Sequence, residues 1–451
     1  MRSSLTCLST ISWPFTGPRA NTGIDAVPAE GVEAMMLSRF NSVFADWPVE
    51  TRRRLAALAI TGFLASFALG AIDVMMPLWA TRELGMTAAD WANVRSLRFA
   101  GVLVGVILLG AVSDRFGQRR TAIGMLTITG LVTALFGLNS RFVLWLLMPL
   151  FGALVSTVYV NFNTLTQLAT TNRQGAANTV YRSVGAAAGL VAPAAAISLA
   201  AAWGGYPAVF LALGPLLAVA GWLLLGYPVR EPFKPLAHPV VEVRLLMQSY
   251  AAAWREKPLM RFIHLSSLWF SVLGCVGAFS AIRLTRELGM SDHAFGWLST
   301  AIGGVTLALL VAAGRFLDRV SLRRLHGGAG VAAAAGTLLM GCGDSPVATG
   351  AGLAVAASLM TLLVGPTSMW VSRQAGAATQ GSAFAVQKVI TALYFSTAMF
   401  LFGALERRVG IRVSLLIGGG AGLVSAFAFL LLPEPPRPAG AGAGENRVKT
   451  V

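Results

Sequence analysis

The sequence predicts an all-α integral membrane protein, with twelve transmembrane helices in two pseudo-symmetric six-helix bundles. Of its 451 residues 55% are hydrophobic and only 12% charged, about half the charged share of a soluble globular protein. Apolar runs of roughly 18–25 residues recur along the chain, each long enough to cross a hydrocarbon core as a helix that satisfies its own backbone. The hexapeptide TRELGM occurs twice, as Thr81–Met86 and Thr285–Met290. That offset of 204 (285 − 81) aligns other features as well, so the repeat marks a duplication.

The first six spans are Leu55–Ala80, Val94–Val112, Thr121–Leu138, Phe142–Leu168, Ala177–Trp203 and Tyr206–Gly226. The second six are Phe262–Ile282, Ala294–Ala313, Leu325–Gly341, Val347–Val371, Ser382–Phe402 and Val413–Leu432. Arginines concentrate before the first span (Arg52–Arg54) and in the loops around 113–120, 228–261 and 314–324. The loops near 203–206 and 342–346 carry no Lys or Arg. The positive-inside rule then sets both termini in the cytoplasm and the protein in the plasma (inner) membrane, with Arg82 and Arg407-Arg408 running against the trend.

The expected domains follow. Residues 1–54 form a disordered cytoplasmic tail, 55–227 the N-terminal bundle, 228–260 a cytoplasmic linker, 261–432 the C-terminal bundle and 433–451 a disordered tail. Within the linker Val243, Met247, Tyr250 and Trp254 share one face, the pattern of an interfacial amphipathic helix. The first 34 residues lack the uninterrupted apolar core of a signal peptide. Met35 and Met36 are alternative starts to Met1.

The net charge of +16 does not point to nucleic acid: its arginines sit in short loops, and no separate basic domain exists. Cys7, Cys275 and Cys342 lack ligand spacing, so neither disulfides nor a metal site is expected. No nucleophile–base pair or phosphate loop stands out. Gly418–Gly420 lies within the last span, where it serves packing. An enzyme and a cofactor are therefore not expected; the partners are the lipid bilayer, a small molecule and protons, with the chain working as a monomer.

At the 204-residue offset Gly110 meets Gly314, Asp114 meets Asp318, Arg115 meets Arg319, and Arg119-Arg120 meets Arg323-Arg324. Gln174-Gly175 and Gln380-Gly381 match at 206, through small indels. The stretch GAVSDRFGQRR, residues 110–120, resembles the loop signature of the major facilitator superfamily, G-x-x-x-D-R-x-G-x-R-R/K. GRFLDRVSLRR, at 314–324, is its weaker copy. The resemblance covers about residues 50–435. It implies a transporter working by alternating access, with its substrate site near the midplane between parallel halves.

In that family the signature acid latches the halves together in the outward-facing state. Here Asp114 would meet the start of the eleventh helix, and Asp318 the start of the fifth. Gly110 and Gly117 permit close approach and a tight turn. Arg115, Arg119 and Arg120 either pair with carboxylates and headgroups or act as topology determinants.

An ionisable residue inside a span is costly and is a functional candidate. Asp73 lies in the first span and Arg98 in the second, at similar depth from the TRELGM end. They form either a static buried pair or a site of proton exchange. The stretch Asp73-Val-Met-Met-Pro77 resembles D-x-x-x-P of the drug–proton antiporter branch. Arg182 and Lys388 match at offset 206; they either snorkel to the interface or face the cavity, where they would favour an anion. Asn161, Asn163, Thr164 and Gln167 line the pathway or bond between helices. His264, near the inner end of its span, serves either in a capping or interfacial role or as a proton relay.

Two features depart from the exporter pattern. Met148 stands where an arginine precedes Gly152, and Gly185-x-x-x-Gly189 has its proline displaced to Pro193. Proton-coupled efflux of a small organic molecule is the first expectation. Uptake of an organic anion or metabolite by symport or uniport is the alternative, and a non-transporting sensor or assembly factor the third. The Arg–Glu pair of TRELGM is expected to be solvated and to contribute little.

Overall fold

The computed structural model describes residues 48–109, 112–113, 116–169, 174–227, 248, 251, 254–314 and 320–435. Among them all regular structure is helical. In chain order the helices are α1 (Val49–Arg82), α2 (Ala88–Val104), α3 (Gln118–Phe136), α4 (Arg141–Ala169) and α5 (Gln174–Ala202). There follow α6 (Tyr206–Leu223), α7 (Lys257–Ile282), α8 (Asp292–Gly314), α9 (Leu322–Cys342) and α10 (Pro346–Leu430). Single π-helical turns extend α2 through Leu109 and α7 through Glu287.

Helix α10 counts as three spans. Its 85 residues would run on the order of 130 Å if straight, several times the ~30 Å hydrocarbon core. Instead it doubles back. Gly410 takes a left-handed φ of +80°, and a Cβ on Gly418 would touch the Phe402 ring at 3.2 Å. Leu363 and Ile390, on its first and second spans, lie in one buried cluster.

Nine described helical segments are long and apolar enough to cross a membrane, one of them the folded-back Ala383–Leu430. That segment supplies a second crossing. Helices α2 and α3 are less apolar and complete the expected twelve.

The duplicated hexapeptide proves to be a helix-terminating corner. Gly85 and Gly289 take φ of +59° and +70°. The N–H groups of Met86 and Met290 reach back to the carbonyls of Ala80 and Leu284, each at 2.9 Å, which satisfies groups a helix end leaves unpaired. The next residue starts the following helix in both copies. Thr87 accepts from the N–H of Asp90 at 3.1 Å, and Ser291 from that of Ala294 at 3.2 Å.

Two boundaries differ from expectation. Helix α1 starts at Val49, so Arg52–Arg54 belong to its first turns and not to a tail. Glu434, expected in the C-terminal tail, accepts from the Ser321 hydroxyl at 2.6 Å and the Leu322 N–H at 2.8 Å. An acid suits this place because a helix N-terminus exposes unpaired N–H groups. Of the expected amphipathic face of the linker, Val243, Met247 and Tyr250 lie outside the described residues.

Each bundle has an aromatic centre. Trp79 meets Phe210 edge-on at 4.9 Å in the first. In the second, Phe262 stacks on Trp370 at 4.4 Å, beside a buried His326 that bonds Thr367 at 3.1 Å.

Candidate functional site

Asp73 is the geometric centre of the site. Three adjoining hollows of about 350, 330 and 420 Å³ all include it in their walls. Together they make a cavity between the halves, bounded by α1, α2, α4 and α5 on one side and α7, α8 and α10 on the other.

Small residues on α2 and α4 bring the charged wall together. A Cβ on Gly101 would lie 1.8 Å from the Pro149 carbonyl oxygen, and one on Gly152 2.0 Å from that of Arg98. Only glycine permits this approach. The seam carries Arg98 over the Phe151 ring, 5.2 Å from its centroid, and into an ion pair with Asp73. Arg98 is largely covered, while half of the Asp73 side chain faces the cavity.

Arg95 stands one turn from Arg98 on the same helix face. Its Nη1 donates to the Gly277 carbonyl of the other half at 2.5 Å, and its buried Nε has no hydrogen-bond acceptor among the described residues. Lys388 of α10 and Tyr159 and Asn163 of α4 close the wall. Among the described residues, the cavity wall thus carries three cations and the Asp73 carboxylate. The opposite wall is mostly apolar, with Val276, Phe295, Ile302, Leu353 and Met360, softened by hydroxyls such as Ser280 and Thr361.

The structure therefore brings Asp73, Arg98, Asn163 and Lys388 to one cavity. Asn161 does not join them: it is fully buried, and both side-chain amide atoms lack a partner among the described residues. The reason is rotation. At 100° per residue, Tyr159 and Asn163 share a face and Asn161 points to the other side. Thr164 bonds back to the Val160 carbonyl at 3.1 Å.

Gln167 and Arg182 sit in α4 and α5, with side chains outside the described residues. His264 lies away from the cavity, on α7, where its Nδ1 is 3.2 Å from the Tyr394 hydroxyl. Arg95 is the residue sequence reasoning missed. The Arg-x-x-Arg spacing of Arg95 and Arg98, which puts both on one helix face, was the available signal.

Of the signature residues, Gly110, Asp114, Arg115, Asp318 and Arg319 lie outside the described residues. Gly117 precedes α3 with φ of +90°, Arg119 donates to the Tyr227 carbonyl at 2.7 Å, and Arg120 is exposed. Gly314 ends α8. Arg323 and Arg324 open α9, with Arg323 3.9 Å from Glu434.

At the opposite, TRELGM face, contacts join the halves. Arg82 pairs with Asp292 at 2.7 Å and Arg407 with Asp90 at 2.8 Å. Tyr206 donates to Asp292 at 2.7 Å, and Ser96 to the Ser396 carbonyl at 2.7 Å. The hexapeptide's charges were expected to be solvated and to contribute little; Arg82 is 40% exposed, and what the sequence did not indicate is where these charges reach. Arg82 reaches across to the other half, and Glu83 accepts from the Tyr206 N–H at 3.0 Å. Neither partner is near in sequence, so local spacing gave no sign of them.

The fold is shared with solved transporters. A variant of the nucleoside transporter NupG superposes with a TM-score of 0.72 at 17% identity, covering 84% of this chain and 99% of that one. A D-xylose-proton symporter gives 0.66 at 16% identity, over 86% and 99%. A cis,cis-muconate transport protein of Acinetobacter baylyi is 26% identical over 196 residues, which is 43% of this chain and 47% of that protein. The match thus spans about half of that relative's length. The Major Facilitator Superfamily model matches residues 58–283 and 271–450. That coverage takes in nearly all of both bundles, and the chain belongs to the Major Facilitator Superfamily.

Proposed function

We propose that the protein imports a small organic carboxylate by alternating access, together with protons exchanged at Asp73. The observation that carries this is the basic lining of the cavity: among the described residues in its wall, Arg95, Arg98 and Lys388 accompany Asp73. A carboxylate entering there gains charge-assisted hydrogen bonds and an acceptor for the Arg95 Nε, a buried donor whose isolation costs about 1–3 kcal/mol. The apolar wall across the cavity suits a hydrocarbon body. The relative named for cis,cis-muconate, an unsaturated dicarboxylate, supports the same substrate class.

Orientation follows from the basic signature face, which the positive-inside rule sets toward the cytoplasm of an inner membrane with both termini inside. On this reading the TRELGM face is external, and its inter-half contacts belong to the outer gate. Asp114 and Asp318 serve as latches in the outward-facing state.

Proton coupling has an energetic reason. Each negative charge carried inward against the membrane potential costs about 2.3 kcal/mol per 100 mV, and one proton per carboxylate removes that cost. The substrate competes with Asp73 for Arg98; as the ion pair opens, Asp73 accepts a proton.

Proteoliposomes and labelled cis,cis-muconate test the reading. An inward proton gradient should drive accumulation, and Asp73→Asn should lower gradient-driven uptake on the order of 100-fold while reducing exchange much less. Arg98→Gln and Lys388→Gln should each raise KM about tenfold or more, as loss of one charge-assisted contact implies. Preference for neutral or cationic compounds would overturn the substrate class. Proton-coupled efflux is the second reading, favoured by the antiporter-like Asp73–Pro77 stretch, and the same assay separates it by the sign of gradient-driven flux.

A further inference from the structure

We propose that the C-terminal bundle holds a site for one anionic phospholipid, its phosphate at Lys257 and Arg261 and an acyl chain between α7 and the later spans of α10. Two concavities compose it. A hollow of about 680 Å³ opens where α7 begins, lined by Trp254, Lys257, Arg261, His264, Leu268 and Tyr394 among others. An apolar groove of about 510 Å³ adjoins it, with Leu393, Leu401, Phe402 and Ile417 in its wall. Leu268 and Tyr394 line both, so the two are continuous. Neither shares a residue with the central cavity.

Charge and polarity are ordered along this channel as along a phospholipid. Lys257 and Arg261 are exposed at one end, one turn apart on the same helix face, and among the described residues no carboxylate lines either concavity. Trp254 meets His264 edge-on at 5.6 Å, and His264 bonds the Tyr394 hydroxyl at 3.2 Å. This gives the polar band an interfacial aromatic, the residue type found at headgroup depth. Beyond it Leu268, Leu393, Leu401 and Ile417 are 40–60% exposed.

From Lys257 to Val272 the helix rises ~22 Å, more than the ~15 Å depth of one leaflet's hydrocarbon. The groove therefore accommodates a whole acyl chain beneath its own headgroup. Scattered exposed leucines would bind any lipid tail. A concave apolar channel ending on two cations selects an anionic one.

Each cation near a membrane surface contributes about 1 kcal/mol toward an anionic headgroup, so two imply a preference on the order of 30-fold. Native mass spectrometry of the full-length protein in detergent, titrated with phosphatidylglycerol or phosphatidylcholine, reads this directly. Wild type should retain one phosphatidylglycerol about 30-fold more tightly than phosphatidylcholine, a preference that weakens in high salt. Lys257→Gln with Arg261→Gln should bring the two lipids near parity, and Leu268→Trp, which fills the channel, should weaken both.

Equal affinity in wild type, or an unchanged preference in the Lys257/Arg261 variant, would overturn the headgroup site. An unaffected Leu268→Trp protein would overturn the acyl-chain groove. The wild-type comparison and its salt dependence stand even if a variant does not fold.

Discussion

Among the described residues, Arg283 is the most deeply buried arginine or lysine of the C-terminal bundle, 5% exposed at the end of α7. Its guanidinium pairs with Glu287 and donates to the carbonyls of Met340 at 3.2 Å and Gly343 at 2.9 Å. It thereby ties the second TRELGM corner to the end of α9. The N-terminal bundle makes the same tie in reverse: Arg141, opening α4, donates to the carbonyls of Leu84 and Gly85, in the first corner. The duplication has kept the joint while exchanging the side that supplies the arginine. Truncating Arg283→Met leaves two carbonyls without their donor beside a partly exposed carboxylate, a class of change that costs about 1–3 kcal/mol. Thermal unfolding in detergent should show a large drop for Arg283→Met. Arg120→Met, at an exposed position, should change stability by less than about 0.5 kcal/mol.

How much of the site was legible also divides by residue. Asp73 and Arg98 were visible because a charge within an apolar run stands out without any alignment. Asn161 and Asn163 were not separable, since their placement depends on helix rotation, which neighbouring helices set. Arg95 escaped notice because it falls at the very start of its span, where a charge looks interfacial. The gate contacts of Arg82 and Glu83 were hidden for a different reason: their partners Asp292 and Tyr206 are brought near only by the tertiary fold.

At the scale of elements, the twelve crossings were legible because each apolar run is a bilayer thick. The seam between α2 and α4 was not, because glycine is common in membrane helices whatever its role. The structure separates the essential glycines from the idle ones. Gly152→Ala would place a Cβ 2.0 Å from the backbone oxygen of Arg98, whereas Gly124 in α3 has nothing within 4 Å. Backbone cannot yield as a flexible side chain does, so Gly152→Ala should push α2 from α4 and displace Arg98 from Asp73. Transport should fall at least about tenfold, the size expected when a binding group moves by about 1 Å. Gly124→Ala should leave transport unchanged and raise stability by at most ~1 kcal/mol through helix propensity. Equal effects of the two substitutions in one flux and melting series would refute the seam.

For the whole molecule, the TRELGM-face contacts form the outer gate in the proposed cycle, and exposure bounds their strength. Arg82 and Arg407 are 40% and 57% exposed, and their partners Asp292 and Asp90 19% and 32%. Such pairs contribute about 0.5 kcal/mol each. A gate that must open on every cycle is served by weak contacts, because stronger ones would trap one state. Asp292→Asn with Arg407→Gln should therefore move the closed-to-open ratio by only about fivefold, the equivalent of ~1 kcal/mol. Burial alone would raise the Asp90 carboxyl, but the hydroxyl and N–H of Thr87 and the Arg407 guanidinium more than offset it and hold it below its usual range.

The sign of the pH effect follows. A depressed carboxyl favours the closed gate at pH above the ordinary value of about 4, and that contribution is lost as pH falls through the lowered value. Between pH 5 and 8 this pair should keep its charges, while burial raises the neighbouring Glu406 carboxyl at the same face. Spin labels at Trp203→Cys and Val347→Cys, with Cys7, Cys275 and Cys342 replaced by Ala, report the gate distance by electron–electron resonance. In an Asp73→Asn background, where the cavity no longer exchanges a proton, that distance distribution should be the same at pH 5 and pH 8. A shift between those pH values in that background would move proton sensing from the cavity to the gate.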